Sequence, residues 1–293
     1  MRIAINGNRH QEGHLEEIDR LVSHIIRQNH DVVMAEPFLR YLESNLGERF
    51  GAGIDYVPLT SAPNADLAIS IGGDGAFLKT ARWIGEAETP VAGINTGHLG
   101  YLSAFTFENA DEIYSQLLTG DFRIENRSVL CVGIIKNGVL QPTRLTALNE
   151  VAITRGDNSS MLRIAARIDN RSSLNYMGDG LIISTPTGST AYNLSVGGPV
   201  LDPELAGWVL SPIAAHSLSM RPLVVKDSSV IEISVETRAE VFRVSADGKP
   251  VTLGVADRLI ISKAPHSVKL VQQPHHAFAD TLREKLGMGT TLV

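Results

Sequence analysis

The first 120 residues alternate between two patterns of apolar positions. Runs of consecutive apolar residues predict buried strands, whereas apolar residues spaced by three and four, as in His14–Gln28, predict amphipathic helices. This alternation predicts a parallel sheet covered by helices on both faces. The predicted strands are Arg2–Asn6, Asp31–Ala35, Ile54–Val57, Asp66–Ile71 and Pro90–Ile94, and the predicted helices are His14–Gln28, the segment from Phe38 to Leu46, the segment that ends at Trp83, and Glu108–Leu118.

Near residue 122 the helical spacing stops and short β-rich runs separated by turn residues begin. Asn137-Gly138 predicts a hairpin, because both central residues of a type I′ turn need positive φ. We therefore expect an all-β domain over residues 122–272, and an α/β domain over 1–121 to which a helical tail, 273–293, returns. The predicted strands of the second domain are Leu130–Ile135, Val151–Thr154, Leu162–Asp169, Leu181–Ser184, Val230–Val235, Val241–Ala246 and Leu259–Ser262.

The composition and net charge of the chain limit the kinds of protein and of partner that we expect. The chain is 43% hydrophobic and 20% charged, which is typical of a soluble globular protein, and no apolar stretch approaches the ~20 residues that span a bilayer. The single cysteine, Cys131, excludes an intrachain disulfide and fits a cytoplasmic location. The net charge is −6 and the 26 basic residues are scattered, so we expect no nucleic-acid partner and no membrane partner.

The first candidate for chemistry is Gly72-Gly73-Asp74-Gly75, between a predicted strand and a predicted helix. Glycines let a phosphate or ribose approach the backbone, and a helix start attracts anions. A carboxylate there can accept a proton from a hydroxyl. The structural alternative is a tight turn in which Asp74 caps the helix. The chain contains neither a P-loop nor the Gly-x-Gly-x-x-Gly spacing of a dehydrogenase after its first strand.

Three further motifs follow in order. Asn95-Thr96-Gly97-His98-Leu99-Gly100-Tyr101-Leu102 continues the strand that ends at Ile94, and its glycines suit a ligand crevice. Asn149-Glu150 precedes a predicted strand. The segment 179–199 runs from Asp179-Gly180 into a turn dense in hydroxyl groups, which suit sugar or phosphate ligands. The alternative for this turn is that its hydroxyl groups cap its own short helix.

Taken together and in this order, the four motifs resemble the NAD kinase family over essentially the whole chain, with 179–199 the most specific part. The resemblance implies an α/β N-terminal domain with a parallel sheet, of the NAD kinase and diacylglycerol kinase-like fold, followed by an all-β C-terminal domain. It implies ATP-dependent phosphorylation of the 2′-hydroxyl of the adenosine ribose of NAD. Mg²⁺ would accompany ATP, and the chain would form a homodimer or homotetramer with NAD pockets near subunit contacts.

The resemblance also assigns roles to residues. Asp74 would be the general base, and the phosphates would lie on the glycine-rich loops. The residues expected to bind substrate are Gly75, Phe77, Asn149, Glu150, Asp179, Thr187, Thr190, Ala191, Tyr192, Ser195 and Lys249, and those of the phosphate loops are Gly72, Gly73, Asn95 and Gly97. We expect no metal site built from protein side chains, because His98 and His275-His276 lack the ligand spacing of a zinc centre.

Two positions depart from some relatives. Met177 stands where an arginine often precedes the pocket aspartate, which leaves the preference between NAD and NADH open. Lys249 stands where a glutamine is frequent, and it is either a ligand contact or an exposed hairpin lysine. The phosphoryl donor is also open between ATP, other nucleotides and polyphosphate.

Two other functions compete with this interpretation. A lipid or sphingoid kinase shares the Gly-Gly-Asp-Gly element but would need an apolar cleft or a basic membrane-facing patch. A non-catalytic sensor of NAD or NADP would bind the dinucleotide and keep Asp74 only as a helix cap.

Overall fold

The computed structural model describes residues 1–47, 49–97, 100–142, 145–156, 161–171, 173–217 and 219–289. The chain forms two compact units, Met1–Asn126 with Val268–Val293, and Arg127–Ser267. The sequence placed the boundaries at 122 and 272. The units divide at different residues because the strands Arg123–Arg127 and Val268–Gln272 belong to the parallel sheet of the first unit.

The first unit is built on one sheet. Its elements, numbered in chain order, are the strands β1 Arg2–Gly7, β2 Asp31–Ala35, β3 Asp55–Val57, β4 Leu67–Ile71, β5 Val91–Asn95, β6 Phe105–Thr106, β7 Arg123–Arg127 and β21 Val268–Gln272, and the helices α1 Leu15–Arg27, α2 Glu36–Leu46, α3 Asp74–Ile84, α4 Ala110–Thr119 and α6 Phe278–Leu286. The strand order is β3-β2-β1-β4-β5-β21-β7, and β6 pairs with β5.

The central strands of this sheet are buried along their length. Every residue of β4 and β5 is buried, which explains their continuous apolar sequences. Neighbouring strands from β3 to β21 run parallel, with Ile71 opposite Ile94 and Val271 opposite Ala92. The carboxyl ends of β4, β5 and β21 therefore meet at one edge of the sheet, where ligands of open α/β sheets bind.

The second unit consists of two antiparallel sheets. Its elements are the strands β8 Leu130–Lys136, β9 Val139–Leu140, β10 Leu145–Ala147, β11 Glu150–Arg155, β12 Leu162–Ile168, β13 Ser173–Gly178, β14 Gly180–Ser184, β15 Gly207–Ile213, β16 Leu223–Lys226, β17 Ile231–Glu236, β18 Val241–Ala246, β19 Lys249–Gly254 and β20 Arg258–Lys263, and the short helix α5 Tyr192–Ser195. One sheet has the order β10-β8-β20-β17-β12-β13, with β9 beside β8, and the other β16-β15-β14-β11-β18-β19.

Both sheets of this unit contribute to a single hydrophobic core. Ile164 of one sheet and Trp208 of the other belong to the same cluster of buried side chains. Alternate residues are buried in β8, β12, β17, β18 and β20, whereas β14 is buried throughout. The hairpin predicted at Asn137-Gly138 is confirmed, because both residues have positive φ, 51° and 77°, between β8 and β9.

The predicted fold class is confirmed by these two units. The sequence analysis predicted no strand at β13, β15 or β16. Half of β13 and most of β16 are exposed and show no apolar pattern, whereas β15 is buried over residues 207–211. Within the described part of the chain, none of the helices combines the length and hydropathy that crossing a bilayer requires.

Candidate active site

The turn between β4 and α3 depends on Gly72. Its φ of +129° lies in a region that L side chains rarely adopt, and a Cβ there would lie 3.0 Å from Ala76 Cβ. Gly73 is the N-cap of α3, and a Cβ at Gly73 or Gly75 would meet no atom within 4 Å. The turn therefore leaves open space in front of a helix start, where the first N–H groups lack intrahelical partners.

Asp74, the first residue of α3, is half-buried and held by a second loop. Its carboxylate accepts the backbone N–H of Tyr101 and of Leu102, each at 3.0 Å. Gly100 packs so closely that a Cβ there would overlap Asp74 Oδ1. Asp74 therefore does not cap α3, and the structural alternative proposed for this turn is not what the structure shows. Its carboxylate is fixed in orientation, and each oxygen keeps a further lone pair for a substrate.

The Tyr101 side chain is affected by the same carboxylate. Burial and the charge of Asp74 raise the pKa of the Tyr101 phenol above its ordinary value. The phenol is therefore protonated at neutral pH, and its oxygen is buried without a hydrogen bond to any residue that the structure describes.

The loop that follows β5 is shaped by Asn95. Asn95 is buried, and its Oδ1 accepts the backbone N–H of Gly97 at 2.8 Å, while Gly97 itself is exposed. Asn95 thus supports the loop, and Gly97 is the residue that faces solvent. His98 lies outside the described residues.

Phe77 differs from the other residues assigned to substrate. Its side chain is fully buried, at 0% exposure, in the hydrophobic core of the first unit. Position 77 lies on the face of α3 that also carries Ala76, Thr80 and Ala81, all of them buried. The structure therefore does not bring the Phe77 side chain to the surface beside Asp74.

In the second unit, Asp247 organises the Asn149-Glu150 segment. Its carboxylate accepts the backbone N–H groups of Leu148, Asn149 and Glu150 at 2.8, 2.9 and 3.2 Å. Asp247 has a φ of +44° and lies in the turn between β18 and β19. One carboxylate therefore fixes three consecutive peptide groups immediately before β11.

The hydroxyl-rich turn after β14 packs on the other side of this segment. Thr185 donates its backbone N–H to Asn149 O at 2.9 Å, and a Cβ at Gly188 would overlap the Asn149 backbone. Thr187 Oγ1 accepts a hydrogen bond from Arg127 at 3.2 Å, and Thr190 Oγ1 donates to Thr187 O at 3.3 Å. Thr190 therefore bonds within the turn and Thr187 bonds to Arg127, whereas no side-chain hydrogen bond caps the 3-10 turn or α5. The structural alternative, in which these hydroxyl groups cap their own short helix, is not what the structure shows.

The exposed part of this turn follows directly. Tyr192 is 40% exposed and Ser195 is exposed, while Ala191 links the 3-10 turn Thr187–Thr190 to α5. Lys249, the first residue of β19, is exposed opposite Ala246, at the end of β18 that lies beside Val151. Tyr192, Ser195 and Lys249 are therefore exposed, and the strand register places Lys249 beside the start of β11.

Glu150 is the perturbed acid of this cluster. Burial and the nearby charge of Asp247 raise the pKa of Glu150 from 4.5 to about 7, against a hydrogen bond from the Tyr192 backbone that lowers it. Its Oε2 is buried and accepts no hydrogen bond from the described residues. Such a carboxyl group is half protonated near neutral pH and can either donate or accept a hydrogen bond.

Asp179 does not join this cluster within one chain. It precedes β14 at the end that pairs with Thr154, whereas Glu150 pairs with Ser184 at the other end. Five residues of strand separate the two ends by roughly 17 Å. Asp179 instead forms an ion pair with Arg155, with Nε and Oδ1 3.1 Å apart and both side chains about half exposed.

The described residues contain no group of three His, Cys, Asp or Glu side chains that could hold a metal ion. His276 Nε2 lies 3.0 Å from Thr281 Oγ1. Near the glycine turn, the carboxylate of Asp74 is the acidic group on the first turn of α3. This donor set fits a cation that arrives with a polyphosphate and keeps most of its ligands from it.

Several contacts of the site were not assigned from the sequence. Gly100, Tyr101 and Leu102 contact Asp74 from 26 to 28 positions further along the chain, and Asp247 binds Leu148 across 99 positions. In the sequence, Asp247 precedes a glycine, and this pair indicates a turn with positive φ. The pair does not indicate which backbone groups the Asp247 carboxylate binds.

A parallel α/β unit with a carboxylate at a glycine-rich helix start, followed along the chain by an antiparallel β unit, defines a nucleotide-binding phosphotransferase. Comparison with known families identifies which one. The ATP-NAD kinase N-terminal domain matches residues 3–122 and the ATP-NAD kinase C-terminal domain matches residues 148–273. The chain belongs to the ATP-NAD kinase family.

Individual proteins agree with this assignment. The NAD kinase of Porphyromonas gingivalis is 38% identical over 99% of both chains, and that of Bacteroides fragilis is 39% identical over 99% of this chain and 98% of its own. An NAD kinase from Archaeoglobus fulgidus, solved in complex with ATP, has a TM-score of 0.70 at 25% identity over 98% of each chain. Yeast NADH kinase, solved with NADH, shares the fold with a TM-score of 0.89 at 23% identity, over all of this chain and 89% of that one.

Proposed function

We propose that this NAD kinase transfers the γ-phosphoryl group of ATP to the 2′-hydroxyl of the adenosine ribose of NAD, with Asp74 as the general base. The observation that carries the proposal is the Asp74 carboxylate, which Tyr101 and Leu102 hold by backbone hydrogen bonds beside an open glycine turn. A fixed carboxylate at the start of a helix is suited to accept a proton while anionic phosphates lie nearby.

The reaction needs little more than positioning and charge stabilisation. Asp74 accepts the proton of the ribose hydroxyl, and the oxygen of that hydroxyl bonds to the γ-phosphorus as the bond to the β-phosphate oxygen breaks. ADP leaves with that oxygen. In α3 the N–H groups of Ala76 and Phe77 bond to Gly73 O, so the N–H groups of Asp74 and Gly75 are those that the helix start offers to a phosphate.

An ATP-dependent kinase of this family uses a divalent cation, and we propose that it is Mg²⁺. When bound, the cation neutralises charge on the phosphate oxygens. We assign Asp74 as the protein group that would contact the cation, because each of its oxygens accepts one backbone N–H and keeps a further lone pair.

The second unit would hold the dinucleotide. Asp247 and the turn after β14 fix the backbone of Asn149 and Glu150. We assign the side chains of these two residues to the hydroxyls of a ribose. The half-exposed ring of Tyr192 offers a face for a base or ribose. Ser195 and Lys249 add exposed polar groups, and the ammonium group of a lysine suits a phosphate.

The position of Asp179 supports an oligomer. Asp179 is expected to bind substrate, yet it lies at the opposite end of β14 from Glu150. We propose a homodimer or homotetramer in which Asp179 of a second copy reaches the pocket that contains Asn149 and Glu150 of the first. The pockets then lie near subunit contacts.

The proposal is tested by incubating purified protein with ATP, Mg²⁺ and NAD and identifying the product by phosphorus NMR. A single new monoester at the 2′ position of the adenosine ribose is expected. A product phosphorylated elsewhere would contradict the assigned reaction. Binding of NAD without any product would favour the sensor, and phosphorylation of a sphingoid base in its place would favour the lipid kinase.

A further inference from the structure

The order of strands in the first unit marks one position for a ligand at the edge of its sheet. The chain runs from β1 outward to β2 and β3 on one side, and then to β4 and β5 on the other. Its direction therefore reverses between β1 and β4, which are parallel neighbours, and open α/β sheets bind ligands beside the carboxyl ends of such a pair. The glycine turn follows β4, so the other side of this crevice is the loop 8–11 that follows β1.

The loop 8–11 is in direct contact with the glycine turn. Asn8 donates its backbone N–H to Ile71 O at 3.3 Å, immediately before Gly72. Two side chains of the loop also pack on the turn, because a Cβ at Gly72 would lie 3.1 Å from Asn8 Nδ2 and 3.3 Å from Gln11 Nε2. The loop and the turn therefore form one continuous surface at the carboxyl ends of β1 and β4.

The Asn8 side chain also fixes the loop around Arg9. Its Oδ1 accepts the backbone N–H of His10 at 3.1 Å and a hydrogen bond from the Gln11 side-chain amide at 2.6 Å. The bond to His10 closes a short turn with residue 9 at its centre. Arg9 itself is exposed. Position 9 is therefore held beside the glycine turn, with its side chain accessible to a ligand.

Arg9 is the strongly basic residue that the sequence places at this edge of the sheet. No other lysine or arginine occurs in the loops that follow β1, β4, β5 and β21, which are residues 8–11, 72–73, 96–104 and 273–277. Arg9 makes no ion pair with an acidic residue in the part of the chain that the structure describes. Glu12 is exposed on the 3-10 turn after the loop, and Lys79 is exposed further along α3. Because the charge of Asp74 repels a polyphosphate, a cation on the opposite side of the crevice offsets that repulsion.

We propose that Arg9 binds the γ-phosphoryl group of the phosphoryl donor during transfer. The inference rests on the proposed kinase function and adds a residue to it. The γ-phosphorus comes next to Asp74, since Asp74 takes the proton of the hydroxyl that attacks it, and the Arg9 loop packs on Gly72, two residues earlier. The planar guanidinium group donates to γ-phosphoryl oxygens. Its charge stabilises the bridging oxygen, which takes the electron pair of the breaking bond and leaves on ADP.

The test separates recognition of the γ-phosphate from recognition of the rest of the nucleotide. Purified full-length protein is titrated by calorimetry with the Mg²⁺ complexes of AMP-PNP, a non-hydrolysable ATP analogue, and of ADP, which lacks the γ-phosphate. Arg9→Gln should weaken AMP-PNP binding by roughly tenfold, the contribution of a hydrogen bond to a charged group. It should leave the affinities for ADP and NAD nearly unchanged. Arg9→Lys keeps the charge without the planar fork and should lie between the wild type and Arg9→Gln.

The matched control is Arg49→Gln. Arg49 is an exposed arginine in the loop before β3, at the opposite edge of the same sheet, and its variant should bind every ligand as the wild type does. AMP-PNP binding by Arg9→Gln as tight as that by Arg49→Gln would overturn the proposal. Equal weakening of AMP-PNP and ADP would also overturn it, because it would show only a structural effect of the loop, and so would a loss of NAD affinity in its place.

Single-turnover transfer from ATP to NAD distinguishes this proposal from the proposed function. Arg9→Gln should transfer the phosphoryl group more slowly by about 10²–10³, since it removes a charge that acts on the transition state. A wild type that forms no NADP but binds AMP-PNP through Arg9 would refute the kinase function and support the Arg9 site. An active wild type with an equally active Arg9→Gln variant would refute the role of Arg9 alone.

Discussion

Gly100 packs directly against the carboxylate of Asp74, so that any Cβ at position 100 would overlap Asp74 Oδ1. The close approach lets the next two backbone N–H groups reach that carboxylate. The loop after β5 thus holds the carboxylate that the turn after β4 presents. Position 100 requires a glycine because a side chain there would collide with Asp74.

Gly100→Ala should displace the Asp74 carboxylate without removing it. We expect kcat to fall by about tenfold to a hundredfold, because small misplacements of a reacting group are costly. The dissociation constant for NAD should change little. The control is Gly13→Ala, where a Cβ meets no atom within 4 Å. Steady-state kinetics and NAD titration check both variants, and an unchanged kcat in Gly100→Ala would count against the role of this loop.

Asp247→Ala should weaken both the fold of the second unit and the binding of NAD. It leaves three backbone N–H groups without their acceptor, which should destabilise the fold by about 1–3 kcal/mol and raise the KM for NAD. Asp257→Ala is a matched control in the same unit, because Asp257 accepts one backbone N–H, from Gly254. Chemical denaturation and kinetics should show the larger effect on KM for Asp247→Ala; equal effects on KM would refute its positioning role.

The raised pKa of Glu150 predicts a pH dependence of stability. The folded protein holds this proton up to about pH 7, whereas the unfolded chain releases it near 4.5. The resulting stabilisation is complete below pH 4.5 and is lost as pH rises through 7. Relative to Glu150→Gln, the wild type should therefore lose roughly 1–3 kcal/mol of unfolding free energy between pH 4.5 and pH 8. Urea titrations across this range measure it, and parallel curves for the two proteins would contradict the assignment.

The proposed sharing of Asp179 between copies predicts complementation. Asp74→Asn and Asp179→Ala should each be nearly inactive alone. After co-refolding in equal amounts, random pairing should restore about a quarter of the wild-type sites, since half the pairs are mixed and each contains one intact site. Each variant refolded alone is the control. No recovery, despite mixed oligomers detected by mass spectrometry, would place Asp74 and Asp179 in the same copy or Asp179 outside the site.

The sequence predicted the elements whose patterns are local. The strand that ends at Ile71, the helix that begins at Asp74 and the hairpin at Asn137-Gly138 all follow from short-range spacing and turn residues. It did not predict the contacts that fix the functional groups. Asp247 and Leu148 are 99 residues apart, and no local pattern encodes such a pair.

Two site assignments show where resemblance alone is insufficient. Phe77 follows the glycine motif, but its position on α3 places it in the core. Asp179 precedes β14, and only the strand register shows that it lies at the far end from Glu150. Burial and register are properties of the folded chain, so these distinctions required the structure.

The central claim is that Asp74 takes the proton of the ribose hydroxyl. The most direct measurement compares Asp74→Asn with the wild type by single-turnover phosphoryl transfer and by NAD binding. Asparagine keeps the shape and one of the two oxygens that accept the backbone N–H groups of Tyr101 and Leu102, but it is not a base. The account predicts an NAD dissociation constant within a few-fold of the wild type and a transfer rate lower by about 10²–10⁴. A variant that binds NAD normally and transfers the phosphoryl group at nearly the wild-type rate would contradict it.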